Sequence, residues 1–117
     1  MADRAPIQID ATPTFNRNIR TLAKKYRNIL NDVQPAIAQL EQGVLLGDQI
    51  PEVGYSVFKL RIPNSDARKG KSGGYRLIYY LKTATGIVLL TLYAKSEQVD
   101  ISADEIKSLV ETYSALR

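Results

Sequence analysis

Ile7 and Ile9 alternate with polar residues in PIQID at 6–10, the period of a short strand. Thr12 then stands before Pro13, an N-cap followed by the residue whose fixed φ suits the first helical position. Apolar side chains next recur as Phe15, Ile19, Leu22, Tyr26, Ile29 and Leu30, a helical stripe. The other face of that helix carries Arg17, Arg20, Lys24, Lys25 and Arg27 and reads first as a solvated surface. A second helix starts from a cap at Asn31 or Asp32 and buries Val33, Ala36, Ile37 and Leu40, ending near Gly43. A connection this short predicts an antiparallel helical pair. LLGDQIPEVG at 45–54 has no sustained period and is expected to be a loop.

Three strands follow at 55–62, 74–82 and 87–94, separated by a loop over 63–73 and a turn near Thr85 and Gly86. Ser102 and Glu105 have capping-box spacing, so a last helix is predicted over 103–115, with Ile106, Leu109, Val110, Tyr113 and Leu116 as its apolar stripe. The order is strand, two helices, three strands, helix, an α+β arrangement with a small, mostly antiparallel sheet.

Alternation assigns each strand residue a face. Phe58, Leu60 and Ile62 oppose Val57, Lys59 and Arg61. Tyr75, Leu77, Tyr79 and Leu81 oppose Arg76, Ile78, Tyr80 and Lys82, and Val88, Leu90, Leu92 and Ala94 oppose Leu89, Thr91, Tyr93 and Lys95. The first set of each pair is apolar and belongs under the helical pair. The second collects Lys59, Arg61, Arg76, Tyr93 and Lys95, and the last helix, with its own stripe to bury, covers the apolar part of that side. Tyr75, Tyr79 and Tyr80 are read as packing residues.

Charge sharpens this picture. Between Tyr55 and Lys95 stand eight bases and one acid, Asp66, a net of +7; the rest of the chain has eight bases and eleven acids, a net of −3. Lys and Arg on a hairpin can simply keep sheet edges from pairing. Gathered on one face, however, they repel by about 1 kcal/mol per pair at 4 Å in water, a cost that a polyanion removes. The Arg68 to Lys71 loop walls the same groove, and its Gly-rich run to Gly74 lets backbone amides approach phosphates closely. The run lacks P-loop spacing.

Length and composition bound the rest. A chain of 117 residues suits one domain. Neither a long apolar run nor a signal-like N-terminus is present, so a cytoplasmic protein without a membrane partner is expected. With no Cys and no His, disulfides and thiolate or imidazole metal sites are excluded, and neither a metal nor a cofactor is expected.

Two stretches carry a resemblance. Val57-Phe58-Lys59-Leu60-Arg61 with the following SGGYRLIYY resembles the strand-loop-strand signature of the RelE/ParE toxin superfamily, in particular the RelE and HigB-like mRNA interferases of type II toxin-antitoxin modules. LLTLYAKSE at 89–97 resembles the HigB-like branch. The resemblance implies a RelE-like β-α-α-β-β-β-α fold. It also implies an endoribonuclease that enters the ribosomal A site and cuts mRNA without a metal, a ribose 2′-hydroxyl attacking the adjacent phosphate and translation stopping as a result. On that likeness Lys59 is the candidate base, Arg61 and Arg76 the phosphate clamp, and Tyr93 or Lys95 the source of the leaving-group proton. Arg68, Lys69, Lys71 and Lys82 are the expected RNA-backbone contacts. RelE itself has an arginine just past the last strand and a tyrosine at the start of the final helix, where this chain has Ser96 and, at about that place, Ser102, so the acid stays unassigned.

The implied partners are the ribosome with its mRNA and a cognate antitoxin of helix-turn-helix type, with operator DNA reached only through that antitoxin. Two alternatives stay open. One is a ParE-like gyrase inhibitor without nuclease activity; the other is a noncatalytic module that binds RNA or an antitoxin.

Overall fold

The computed structural model describes residues 6–66 and 74–115. β1 (Gln8–Ala11) leads into α1 (Pro13–Ala23) and α2 (Ile29–Glu41), followed by β2 (Asp48–Gln49), β3 (Val57–Ile62), β4 (Tyr75–Thr83), β5 (Gly86–Ala94) and α3 (Ala103–Ala115). The strands form one sheet in the order β1-β5-β4-β3-β2, with β1 parallel to β5 and every other pair antiparallel. The α+β class and the helical hairpin followed by a C-terminal helix are as expected. β2 is an addition: two residues, too short for any period, pair Asp48 with Lys59 and Gln49 with Phe58 inside the stretch expected to be loop.

The helical hairpin divides earlier than its apolar stripe suggests. α1 is capped as expected, Thr12 Oγ1 accepting from Phe15 N at 3.0 Å with Pro13 in the first turn. It closes after Ala23 in a tight turn in which Tyr26 N donates to Leu22 O at 2.7 Å, so Ile29 and Leu30 belong to α2. Neither Asn31 nor Asp32 caps α2. Its N-cap is Asn28, whose backbone N and side-chain Nδ2 donate to Asp66 at 2.8 and 2.9 Å, while Asp32 accepts from Ser65 N and Oγ. A cap supplied from 38 residues away leaves no local signature. It also explains the lone acid of the basic segment, which fastens the end of β3 to the hairpin.

In β5 the expected alternation fails, and a bulge is the reason. Ile78 pairs with Thr91 but Tyr79 pairs with Leu89, so Leu90 is an extra residue. Beyond it the faces exchange. Ile87, Leu89, Leu92 and Ala94 pack under the helical hairpin with Phe15, Leu22, Val33, Leu40, Leu60 and Leu77. Val88, Leu90 and Tyr93 instead pack against α3 through Ile106, Val110 and Tyr113, together with Val57 and Ile78. Val88 and Leu90 were expected on the hairpin side and Leu89 on the charged side; a bulge moves all three. Polar groups at and beside the bulge, along the β5 edge that β1 leaves open, bond to Thr12 and to Asn18 of α1. Thr12 Oγ1 donates to Leu90 O at 2.7 Å, and Asn18 Oδ1 accepts from Thr91 Oγ1 at 2.9 Å and Leu92 N at 3.2 Å.

The tyrosines of β4 are packing residues. Tyr75 meets Tyr26 edge-on at 5.8 Å, Tyr80 meets Tyr55 edge-on at 5.6 Å, and Tyr79 stacks on Phe58 at 5.1 Å. The Tyr79 hydroxyl donates to Leu46 O, and burial pushes its pKa up from 10.0 to about 12; burial also pushes Tyr75 well up. A phenol whose folded pKa is raised contributes stability that is intact below pH 10 and lost as pH climbs through the folded value. Urea titrations should therefore show stability falling above pH 10 by about 1.4 kcal/mol per pH unit for each such tyrosine. Complete phenolate absorbance below pH 11 with the fold intact would contradict this burial.

Gly74 opens β4 at φ +92°, where a Cβ would come 2.6 Å from Ile62 O, and its carbonyl accepts from Lys95 N at 2.9 Å. This glycine of the GGYR run thus fixes β4 against the ends of β3 and β5. Gly74→Ala should cost about 2 kcal/mol or more in chemical denaturation, through both left-handed strain and the clash.

Candidate functional site

Register brings three of the expected residues into one row. Arg61 lies directly opposite Arg76 across β3 and β4, and Arg76 directly opposite Tyr93 across β4 and β5. Directly paired residues have Cβ atoms about 5 Å apart on a shared face, a spacing at which like charges destabilise a sheet. Two guanidinium groups in that relation are costly unless an anion joins them. Val57, Ile78 and Tyr93 place this face on the α3 side, as expected, with α3 covering its apolar part.

The row runs from open to closed. Arg61 is exposed at one end, whereas Arg76 retains only 8% exposure and Tyr93 6%. Arg76 Nη1 donates to Tyr75 O at 3.3 Å. The Tyr93 hydroxyl is buried and makes no well-formed hydrogen bond among the described residues, although the Asp100 carboxylate is close enough to act on it. Burial, first, and the neighbouring Asp100 carboxylate raise its pKa, while Arg76 pulls the other way, so the phenol keeps its proton at neutral pH.

Two lysines flank the row, each tied to the segment between β5 and α3. Lys59 Nζ donates to Asp100 Oδ1 at 3.1 Å, and Lys95 Nζ donates to Val99 O at 3.2 Å. Asp100 Oδ1 also accepts from Ile101 N at 2.8 Å. That backbone contact, then the Lys59 hydrogen bond, hold the Asp100 carboxyl below its ordinary 3.8. Asp100 was not singled out from the sequence. Its only sequence signal is an acid placed just before the last helix of a chain whose strands are basic.

The remaining expected contacts are not gathered here. Arg68, Lys69 and Lys71 lie outside the described residues. Lys82 sits six residues along β4 from Arg76, about 20 Å at the rise of a strand. There its ammonium lies 5.5 Å from the Tyr113 ring centre, and Tyr113 donates to Asp10 Oδ2 at 2.9 Å. Lys82 thereby fastens the end of α3 to β4, apart from the row. A roughly 430 Å³ concavity lined by Pro6, Ile7, Glu41 and Thr85 also lies at that far end, beside the β4–β5 turn.

The described site is thus an open cationic face with a buried phenol at its floor. No described helix is long and apolar enough to cross a membrane. A family model described as the RelE toxin of the RelE/RelB toxin-antitoxin system matches residues 12–116. The chain belongs to the RelE toxin family. As a RelE toxin it pairs with a cognate antitoxin, and the matched span contains β3, β4, β5 and α3, all the elements that carry the row and its flanking lysines.

Tyr93 permits a clean test of the floor. Tyr93→Phe retains the ring and removes a hydroxyl that makes no well-formed hydrogen bond among the described residues, so thermal unfolding should occur at the wild-type temperature or up to about 1 kcal/mol higher in stability. A loss above about 1 kcal/mol would reveal a hydrogen bond to the hydroxyl.

Proposed function

We propose that this RelE-family toxin is a ribosome-dependent mRNA endonuclease that cleaves without a metal. The observation that supports it best is the Arg61, Arg76 and Tyr93 row: two cations directly opposed beside a protonated phenol on one face. The 2′-oxygen of one ribose attacks the adjacent phosphorus, its proton is removed, and the bond to the 5′-oxygen breaks as that oxygen gains a proton. The products are a 2′,3′-cyclic phosphate and a 5′-hydroxyl.

Arg61 and Arg76 bind the non-bridging oxygens, whose charge grows in the transition state. Tyr93 or Lys95 protonates the leaving oxygen. Lys59 is the candidate base, and because it donates to Asp100 it takes up the hydroxyl proton only after that pair opens and its own proton leaves. Arg68, Lys69 and Lys71 contact the transcript backbone. The antitoxin, of helix-turn-helix type, neutralises the toxin by covering this face with acidic residues, and brings the pair to operator DNA.

Purified protein added to programmed ribosomes should give discrete cuts in the message. Arg76→Ala should reduce the cleavage rate by about 10²- to 10³-fold while circular dichroism keeps its wild-type shape and thermal unfolding stays cooperative, at a lower temperature for the lost packing. Intact message with the wild-type protein would overturn the proposal. The low exposure of Arg76 and the Lys59–Asp100 pair favour, as a second reading, a module that binds RNA or antitoxin without turnover. In that case ribosomes would bind the protein with salt-sensitive affinity and the message would stay whole.

A further inference from the structure

The acid that holds Lys59 occupies a singular position. Asp100 is exposed, with 63% of its side chain open to solvent, yet it lies beside Lys59 and within the field of Lys95, the two lysines that flank the row. Lys59 contacts it directly, Lys95 adds to the field that lowers its pKa, and it in turn raises that of Tyr93. The segment that carries it is held by polar contacts at several points. Glu97 pairs with Lys25 of the α1–α2 connection at 3.1 Å, Lys95 holds Val99 O, and Gln98 Nε2 donates to Asp100 O at 3.0 Å. A carboxylate bound by the ammonium of a phosphate-binding face uses the same donor that a phosphate would use.

We propose that Asp100 is the resident counter-ion of the RNA-binding face: its carboxylate occupies Lys59 in the unbound toxin, and a phosphate of the transcript displaces it. This rests on the reading of the face as one that binds RNA. Asp100 is a positioning residue, since it acts through Lys59 and sets how much of the cationic field is available to an incoming anion. Displacement breaks one ion pair and forms another, with no net change in protons, so affinity is reduced by the competition while one of the four positive charges of the unbound face is offset.

Asp100→Asn tests this with little risk to the fold, because the amide oxygen can still accept from Ile101 N. Two probes are used with the full chain: a short single-stranded 2′-O-methyl oligonucleotide, which has the phosphates but no attacking hydroxyl, and inorganic pyrophosphate. Asp100→Asn should tighten both by about fivefold at low salt, the size of one partly exposed charge pair. The log–log salt slope of oligonucleotide binding should change by well under about 0.7, because Lys59 neutralises the same phosphate in both proteins. In a Lys59→Met background the same substitution should change affinity less than about twofold, because its partner is gone.

Unchanged or weaker binding of both probes by Asp100→Asn, with circular dichroism as wild type, would overturn the proposal. So would an equal gain in the Lys59→Met background, which would mark a bulk-charge effect, and so would absence of pyrophosphate binding in every variant. If the wild-type chain and its variants bind pyrophosphate with the Lys59-dependent gain but none binds the oligonucleotide, the counter-ion role stands and the RNA reading fails.

Discussion

The one-residue bulge at Leu90 decides which side chains of β5 face which core. Were β5 regular, Leu90 would point the same way as Leu92, and Tyr93 would share a face with Leu89 rather than with Val88 and Leu90. The bulge lets β5 give apolar residues to both layers, Ile87, Leu89 and Leu92 to the hairpin and Val88 and Leu90 to α3, while Tyr93 still stands beside Arg76. Such an irregularity is tolerable only if its unpaired polar groups find partners. Thr12 and Asn18 supply them from α1. Thr12 does so while capping α1, so one hydroxyl connects the start of the helix to the strand that bears the floor of the site.

The cationic face follows from that frame and strains against it. Arg61 opposite Arg76 is unfavourable for a sheet on its own, and beside them Asp100 offsets the charge of Lys59 alone. Because both members of that pair are partly or largely exposed, it is weak enough to exchange. A deeply buried pair would have held the face closed, and no pair would have left adjacent cations to repel. An exposed carboxylate between these limits would offset one cation of the unbound face at a modest cost to binding.

Much of this was legible in the chain. Thr12–Pro13 and Ser102–Glu105 marked two helix starts that the structure uses, because capping chemistry is local. The placement of Lys59, Arg61, Arg76 and Tyr93 on one face followed from alternation alone, since the register through Ile78 and Thr91 is regular. What alternation could not reveal was long-range. Leu90 looks like any residue of an apolar run, and its carbonyl accepts from Thr12, 78 positions away. The start of α2 depends on Asp66, 38 positions away, and the role of Asp100 on Lys59, 41 positions away. Lys82 shares the parity of the row but not its end of the strand; periodicity gives the face, and only tertiary packing against Tyr113 gives the use.

The resting positions of the cations bear on why a nuclease of this kind would need the ribosome. Lys59 is held by Asp100, Lys95 by a backbone carbonyl, and Arg76 lies nearly out of solvent. On the proposed reading each would exchange an internal acceptor, or gain access, before serving a phosphate, and that reorganisation would count against RNA met in solution. Binding energy from parts of a substrate remote from the scissile bond can offset such a cost, and only then does the chemical step accelerate. A short transcript segment offers few remote contacts to a face this small. A message held on the ribosome would offer more, through the ribosome's own RNA backbone and the fixed path of the message, so under the proposed function the resting contacts of these cations give ribosome dependence a physical basis.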